Sequence, residues 1–341
     1  MEPSVLQVIW FLLFGVLVAG YAVLDGFDLG VGALSLFRKS ADDRRLMINA
    51  IGPVWDGNEV WLLTAGGALF AAFPPVYASV FSGFYMALML LLLALIFRAV
   101  SMEFRGKVES DRWLRLWDLG FGLGSLLPAV LFGVAVGNIM RGIPLDAEGN
   151  FTGTFFSLLN PYALATGLLS LAAFVTHGAI YMGMKSEGEL REWMRKVASR
   201  AWIGWVALYV GATVGTFFAA PQLFDGVLKN PLTWVAFLVL LAALIFLPVA
   251  VKSDRLGRAF VASAAALIAM IGLVGIGLYP NLVPALNDPE LSLTVATHSS
   301  SERTLTTMLV IAGVGMPIVL AYTAFIYKTF KGKVRIGEDS Y

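Results

Sequence analysis

Apolar runs separated by short polar connectors fill nearly the whole chain. They lie at about 5 to 37, 49 to 73, 76 to 103, 115 to 137, 161 to 184, 200 to 220, 232 to 250, 258 to 279 and 304 to 327. Each is close to the roughly 20 apolar residues that a helix needs to cross a bilayer. The pattern therefore predicts an all-α integral membrane protein with nine transmembrane helices. The connectors sharpen this reading. All but Arg141, Lys229 and Arg303 of the 24 Lys and Arg fall in alternate connectors or in the C-terminal tail. Cytoplasmic connectors are the ones enriched in basic residues, so the N-terminus is expected outside and the C-terminus in the cytoplasm. Met1 to Ser4 contains an acid and no basic stretch, and the apolar run after it has no small-residue cleavage site, so the first segment is read as a retained helix.

The ends of the second and sixth segments read ALFAAFP (Ala68 to Pro74) and TFFAAP (Thr216 to Pro221). Both run inward to outward, which suggests that helices 1 to 4 repeat as helices 5 to 8; chance similarity between apolar segments competes with this. The implied organisation is a first four-helix bundle over 1–137, a second over 138–279, and a peripheral ninth helix with a cytoplasmic tail over 280–341. Glycines at 26 and 30, 120 and 124, and 133 and 137 are spaced for close helix packing.

Composition agrees, at 58% hydrophobic and 14% charged, with a mean hydropathy of +0.79. The absence of cysteine excludes disulfides, thiolate ligands and iron–sulfur clusters.

The exceptions to this apolar composition carry the chemistry. Asp25 and Asp28 fall in segment one, and Asp56 and Glu59 in segment two. A carboxylate near the centre of a membrane helix costs roughly 2.5 to 3.5 kcal/mol and so faces the interior, pairs or carries a proton. Asp25 lies 13 residues before Arg38 and Asp56 lies 11 after Arg45, placing both roughly 16 to 20 Å above the basic turn. Each i, i+3 pair shares a helix face. Arg98 enters from segment three with Glu103 and Lys107 nearer its basic end, and segment four adds Asp118. Such a series could step protons inward from the cytoplasm; buried structural pairs, or caps on a break near Gly52 and Pro53, are the competing reading, and position alone does not favour conduction over it. His177 and His298 are the only histidines, and His298 falls in an outer connector; the 12 Met leave a His/Met haem formally open, although Met is ordinary filling in apolar cores. A bis-His haem needs two imidazoles at suitable depth, so His177 is expected to be a hydrogen-bonded core residue.

GYAVLDGFDLGVGAL (Gly20 to Leu34), INAIGPVWDGNEVWLLTAGGALFAAFP (Ile48 to Pro74), FSGFYMALMLLLLALIFRAVSMEFRGK (Phe81 to Lys107) and FFSLLNPYALATGLLS (Phe155 to Ser170) resemble the signature stretches of subunit II of cytochrome bd quinol oxidases. The resemblance runs through nearly the whole chain and is strongest in its first third. It implies a haem-free subunit that binds no cofactor or metal and has no catalytic residue of its own. Its expected partner is a subunit I holding b-type haems and haem d, with quinol as substrate, oxygen reduced to water, and a bacterial or archaeal cell membrane as the location. A small single-helix accessory subunit is compatible with the family, as are lipid and quinone contacts; nucleic acid is not. Asp25, Asp56, Glu103 and Lys107 match the family's proton route. Asp28 and Arg98 fall within matching motifs as supporting residues, and Trp61 matches a tryptophan placed near the oxygen entrance. Glu59 stands where relatives also carry glutamine, so its charge is expected to be dispensable. The connector from Pro221 to Pro231 is shorter than in some members. Outside the resemblance, a proton-coupled secondary transporter or a purely structural membrane subunit would also suit intramembrane acids and a repeated bundle.

Overall fold

The computed structural model describes residues 2–337. Eleven α-helices account for most of them: α1 (Val5–Ser35), α2 (Ala41–Ile51), α3 (Trp55–Ala72), α4 (Pro74–Gly83), α5 (Tyr85–Phe104), α6 (Asp111–Arg141), α7 (Pro161–Lys185), α8 (Gly188–Ala219), α9 (Pro231–Lys252), α10 (Leu256–Leu278) and α11 (Glu302–Thr329). Helix starts follow local chemistry. Ser4 and Gln7 form a reciprocal capping box on α1, while Asn160 and Asn230 cap α7 and α9 just before a proline at the first helical position.

Among the described residues, eight helices are long and apolar enough to cross a membrane. Helix α3 falls short because Asp56, Asn58 and Glu59 crowd its first turn, yet it packs along α1 like the others. The chain breaks at residues 52–54, between α2 and α3, where the sequence places Gly52 and Pro53. A second break at Phe73 and Pro74 separates α3 from α4. The two Ala-Ala motifs end alike: Phe73 (φ −135°, ψ 63°) and Ala220 (φ −147°, ψ 55°) both precede proline. Each donates its N–H at 2.8 Å to the carbonyl four residues back.

Helix α1 is the hub, packing against α3, α6, α7 and α10. Small residues make this possible. A Cβ on Gly30 would fall 1.9 Å from the Phe174 carbonyl oxygen of α7, and one on Gly32 would fall 1.9 Å from the Ser125 Oγ of α6. Helix α11 lies outermost, with only Leu305 buried.

The five basic connectors gather at one end of the bundle. Arg38 reaches Glu189 at 3.6 Å, Arg105 donates to the Ala41 carbonyl at 3.2 Å, Arg191 pairs with Asp254 at 2.8 Å, and Lys333 donates to the Ser186 carbonyl at 2.7 Å. The opposite end carries a cap that the apolar pattern did not foreshadow. There β1 (Asn281–Val283) pairs antiparallel with β2 (Leu293–Thr294). Ile143 and Leu286 join the two outer connectors by backbone hydrogen bonds, and Trp10, Phe73, Leu145, Val283 and Val295 form the cap's own apolar core.

Candidate functional site: a buried Asp–Arg–Asp cluster

Asp25, Asp28 and Arg98 are wholly buried and meet between α1 and α5. Arg98 donates from both terminal nitrogens to Asp25, at 3.0 Å to Oδ2 and 2.6 Å to Oδ1. This is the fork-to-fork geometry in which guanidinium holds carboxylate most firmly. The same guanidinium lies 3.9 Å from Oδ2 of Asp28. Asn58, projecting from α3, donates its amide at 2.8 Å to that oxygen and at 3.1 Å to the Leu24 carbonyl. Tyr327 of α11 in turn donates its hydroxyl at 2.9 Å to Oδ1 of Asn58, which fixes the amide with its NH₂ toward Asp28. One guanidinium thus serves two carboxylates, and Oδ1 of Asp28 and Nε of Arg98 are buried with no hydrogen-bond partner among the described residues.

Helix phase decides which residues enter. The inward face of α3 carries Asn58, Trp61, Ala65, Leu69 and Ala72, a spacing of three and four residues. Asp56 and Glu59 do share a face, as their spacing required, but it is rotated away from α1: Asp56 is exposed and Glu59 half-buried. Asp56 therefore does not meet Asp25, and Asn58 takes the inward place. Glu59 remains within electrostatic reach of Arg98, Asp25 and Asp56. Trp61 lies against Gly20, where a Cβ would come within 2.2 Å of its ring, and packs with Leu17 and Tyr21 beside the cluster.

The same rule sorts α5. From Arg98, the buried face continues to Ser101 and Arg105, one polar side chain per turn toward the basic end. Glu103 and Lys107 sit on the opposite, exposed face. Arg105 donates to Oδ1 of Asp118 at 2.6 Å, and Arg44 approaches its Oδ2 at 3.3 Å. A second polar cluster, buried Arg105 and Asp118 with half-buried Arg44, thus lies between the first and the basic surface. Asn58, Ser101, Arg105 and Tyr327 are the members that sequence reasoning passed over. The i+3 and i+7 spacing from Arg98 was available to find two of them.

His177 is a core residue: its ring nitrogens lie 2.6 Å from Oγ of Ser263 and 3.0 Å from the Val23 carbonyl, and its ring stacks on Phe260. His298 in the outer cap accepts the Thr294 N–H on Nδ1 at 3.1 Å. Both imidazoles are committed to structure, and the described residues include no His, Cys, Asp and Glu grouping that could hold a metal ion.

These features can be set beside known proteins. The family model for cytochrome bd terminal oxidase subunit II matches residues 6–330. The cytochrome bd-I ubiquinol oxidase subunit 2 of Escherichia coli strain K12 is 40% identical, with 98% of this chain and 96% of that one covered. The cytochrome bd ubiquinol oxidase subunit 2 of Bacillus subtilis strain 168 is 33% identical, with 96% of each covered. In fold, the chain resembles a chain of the bd oxidase from Geobacillus thermodenitrificans, with a TM-score of 0.80 at 16% identity over 96% of this chain and 99% of that one. A family match over nearly the whole length, joined to eight helices able to cross a bilayer, makes this a multi-pass protein of the bacterial cytoplasmic membrane that belongs to the cytochrome bd terminal oxidase subunit II family.

Proposed function

We propose that this chain is the haem-free second subunit of a quinol:oxygen oxidoreductase and that its buried Asp25–Arg98–Asp28 cluster passes protons inward toward a partner subunit. One observation carries the reading. Two wholly buried carboxylates share one guanidinium, and one carboxylate oxygen has no partner among the described residues. An uncompensated negative charge in a low-dielectric interior is costly, so a proton entering the cluster neutralises it. Haems held by the partner subunit would supply electron transfer and oxygen reduction. This chain's side chains would supply the path: Asp118, Arg105 and Ser101 line the approach from the basic end, and Asp28, oriented by Asn58 and Tyr327, holds the proton.

Nine crossings, with α2–α3 as the second, N-terminus outside and the basic end cytoplasmic, are part of this reading. So are bundles over 1–137 and 138–279 and a peripheral ninth helix. Asp56 and Glu59 face outward on α3, where a carboxylate open to hydrocarbon would be costly, so the haem-bearing subunit is inferred to cover that face. Asp56, Glu103 and Lys107 would then serve the route at the subunit boundary or the cytoplasmic surface, and Trp61 would line oxygen access. Quinol oxidation is assigned to the partner.

The bidentate Asp25–Arg98 geometry favours a second reading, in which the cluster is a static brace. Quinol oxidase turnover of the purified complex separates the two. Asp28→Asn, with assembly and haem spectrum intact, is expected to lower turnover at least tenfold. Full turnover in that variant would leave the brace as the explanation.

A further inference from the structure

We propose that the basic end of the groove between α8 and α9 binds the phosphodiester headgroup of an anionic membrane phospholipid. A cavity of about 280 Å³ opens there, lined by Glu192, Arg195, Lys196, Ser199 and Arg200 of α8 and by the last residues of α9. Arg195 is spent on structure. It donates to Glu192 at 2.9 Å and to the carbonyls of Val251 and Lys252 at 3.2 and 3.3 Å, tying the end of α9 to α8. Lys196, Arg200 and Lys252 are exposed, and among the described residues none has a carboxylate within 4 Å. Three unpaired cations thus ring one cavity, and Glu192, already engaged by Arg195, is its sole acid. An anion placed among them would relieve their mutual repulsion.

What lies above the cavity selects a lipid over a free ion. Along α8 the outward face continues through Ile203, Val210 and Val214, at 60, 56 and 52% exposure; along α9 it continues through Val249, Ile245 and Leu238, at 56, 62 and 60%. The cations therefore stand at the foot of two exposed apolar helix faces that extend roughly 20 Å at 1.5 Å per residue, suited to an acyl chain. The groove floor is fixed by sequence. Pro248 has no N–H, which frees the Leu244 carbonyl inside α9, and Trp202 of α8 donates its indole N–H to that oxygen at 3.0 Å. A free phosphate would satisfy the cations alone. An anionic phospholipid satisfies both parts, as basic pockets between membrane helices do elsewhere.

The test uses the complex purified with its native companions and stripped of lipid in detergent. It is titrated with phosphatidylglycerol, phosphatidylcholine or inorganic phosphate, and bound molecules are counted by native mass spectrometry. Phosphatidylglycerol is expected to bind, phosphatidylcholine not to bind, and the combined Lys196→Gln, Arg200→Gln and Lys252→Gln variant to bind roughly tenfold more weakly or worse. A charge-keeping Lys196→Arg, Arg200→Lys variant should bind like the parent. Should the triple variant fail to assemble, Lys252→Gln alone is expected to weaken binding while Lys331→Gln does not. Equal affinity in parent and neutralised variants overturns the site. Phosphate binding at the same residues without lipid retention overturns the lipid assignment.

Discussion

Replacing Asp25 and Asp28 by asparagine, singly and together, probes how one guanidinium is divided between two acids. In Asp25→Asn the fork is lost: the asparagine Oδ1 can accept from one terminal nitrogen, and Asp28 remains at 3.9 Å to balance the charge. Removing one charge-assisted hydrogen bond costs about 1.5 to 3 kcal/mol. In Asp28→Asn the 2.8 Å contact to Asn58 can persist through the new Oδ1, and the surplus buried charge disappears, so the change is expected within about 1 kcal/mol of neutral. The double variant leaves Arg98 buried without a contacting carboxylate, and an unpaired buried charge costs about 3 to 5 kcal/mol. The cycle should therefore show a coupling of about 1 to 3 kcal/mol, read from denaturation of the purified complex in mixed micelles. Strict additivity, or a greater loss for Asp28→Asn than for Asp25→Asn, would refute the shared-guanidinium reasoning.

Three further outcomes follow from local geometry. Gly124→Ala would set a Cβ 2.6 Å from the Ala94 carbonyl and 2.7 Å from the Arg98 nitrogen; it is expected to cost about 1 to 3 kcal/mol and to lower turnover by shifting Arg98, both measurable on the purified complex. His177→Leu would remove the contacts to the Ser263 hydroxyl and the Val23 carbonyl while leaving that hydroxyl its bond to the Phe260 carbonyl; it is expected to cost about 1 to 3 kcal/mol in all, with the haem spectrum of the complex unchanged. At His298, burial holds the imidazole pKa below its usual range, so the folded cap favours the neutral ring. Its stabilisation is then complete above about pH 6.5 and is lost as pH falls below that value. Thermal unfolding at stepped pH should show this slope in the parent and a flatter one in His298→Asn.

The sequence made some of this site legible and hid the rest for physical reasons. Asp25, Asp28 and Arg98 stood out because charge in an apolar run is costly, and each proved wholly buried. Asp56 stood out for the same reason but lies on the outer face. Its orientation depends on where α3 restarts after the break at 52–54, and hydropathy does not report that phase. Asn58 was missed because a neutral amide is unremarkable in composition. Glu103 and Lys107 entered through the family resemblance, whereas the 3.6-residue period from Arg98 selects Ser101 and Arg105 for the buried face. The outer cap was invisible because strands of two and three residues leave no alternating pattern. Helix α1 was expected within a first bundle of helices 1 to 4; it also packs on α7 and α10, and its contact with α7 depends on Gly30 facing Gly178, a pairing that no single sequence identifies.

The central claim, that the α1–α5 cluster carries protons, is tested most directly by turnover-driven proton uptake in sealed vesicles containing the purified complex. Asp28→Asn, assembled and with its haem spectrum intact, should show uptake reduced at least tenfold in step with oxygen consumption. Uptake and oxygen consumption equal to the parent's would mean that protons travel elsewhere.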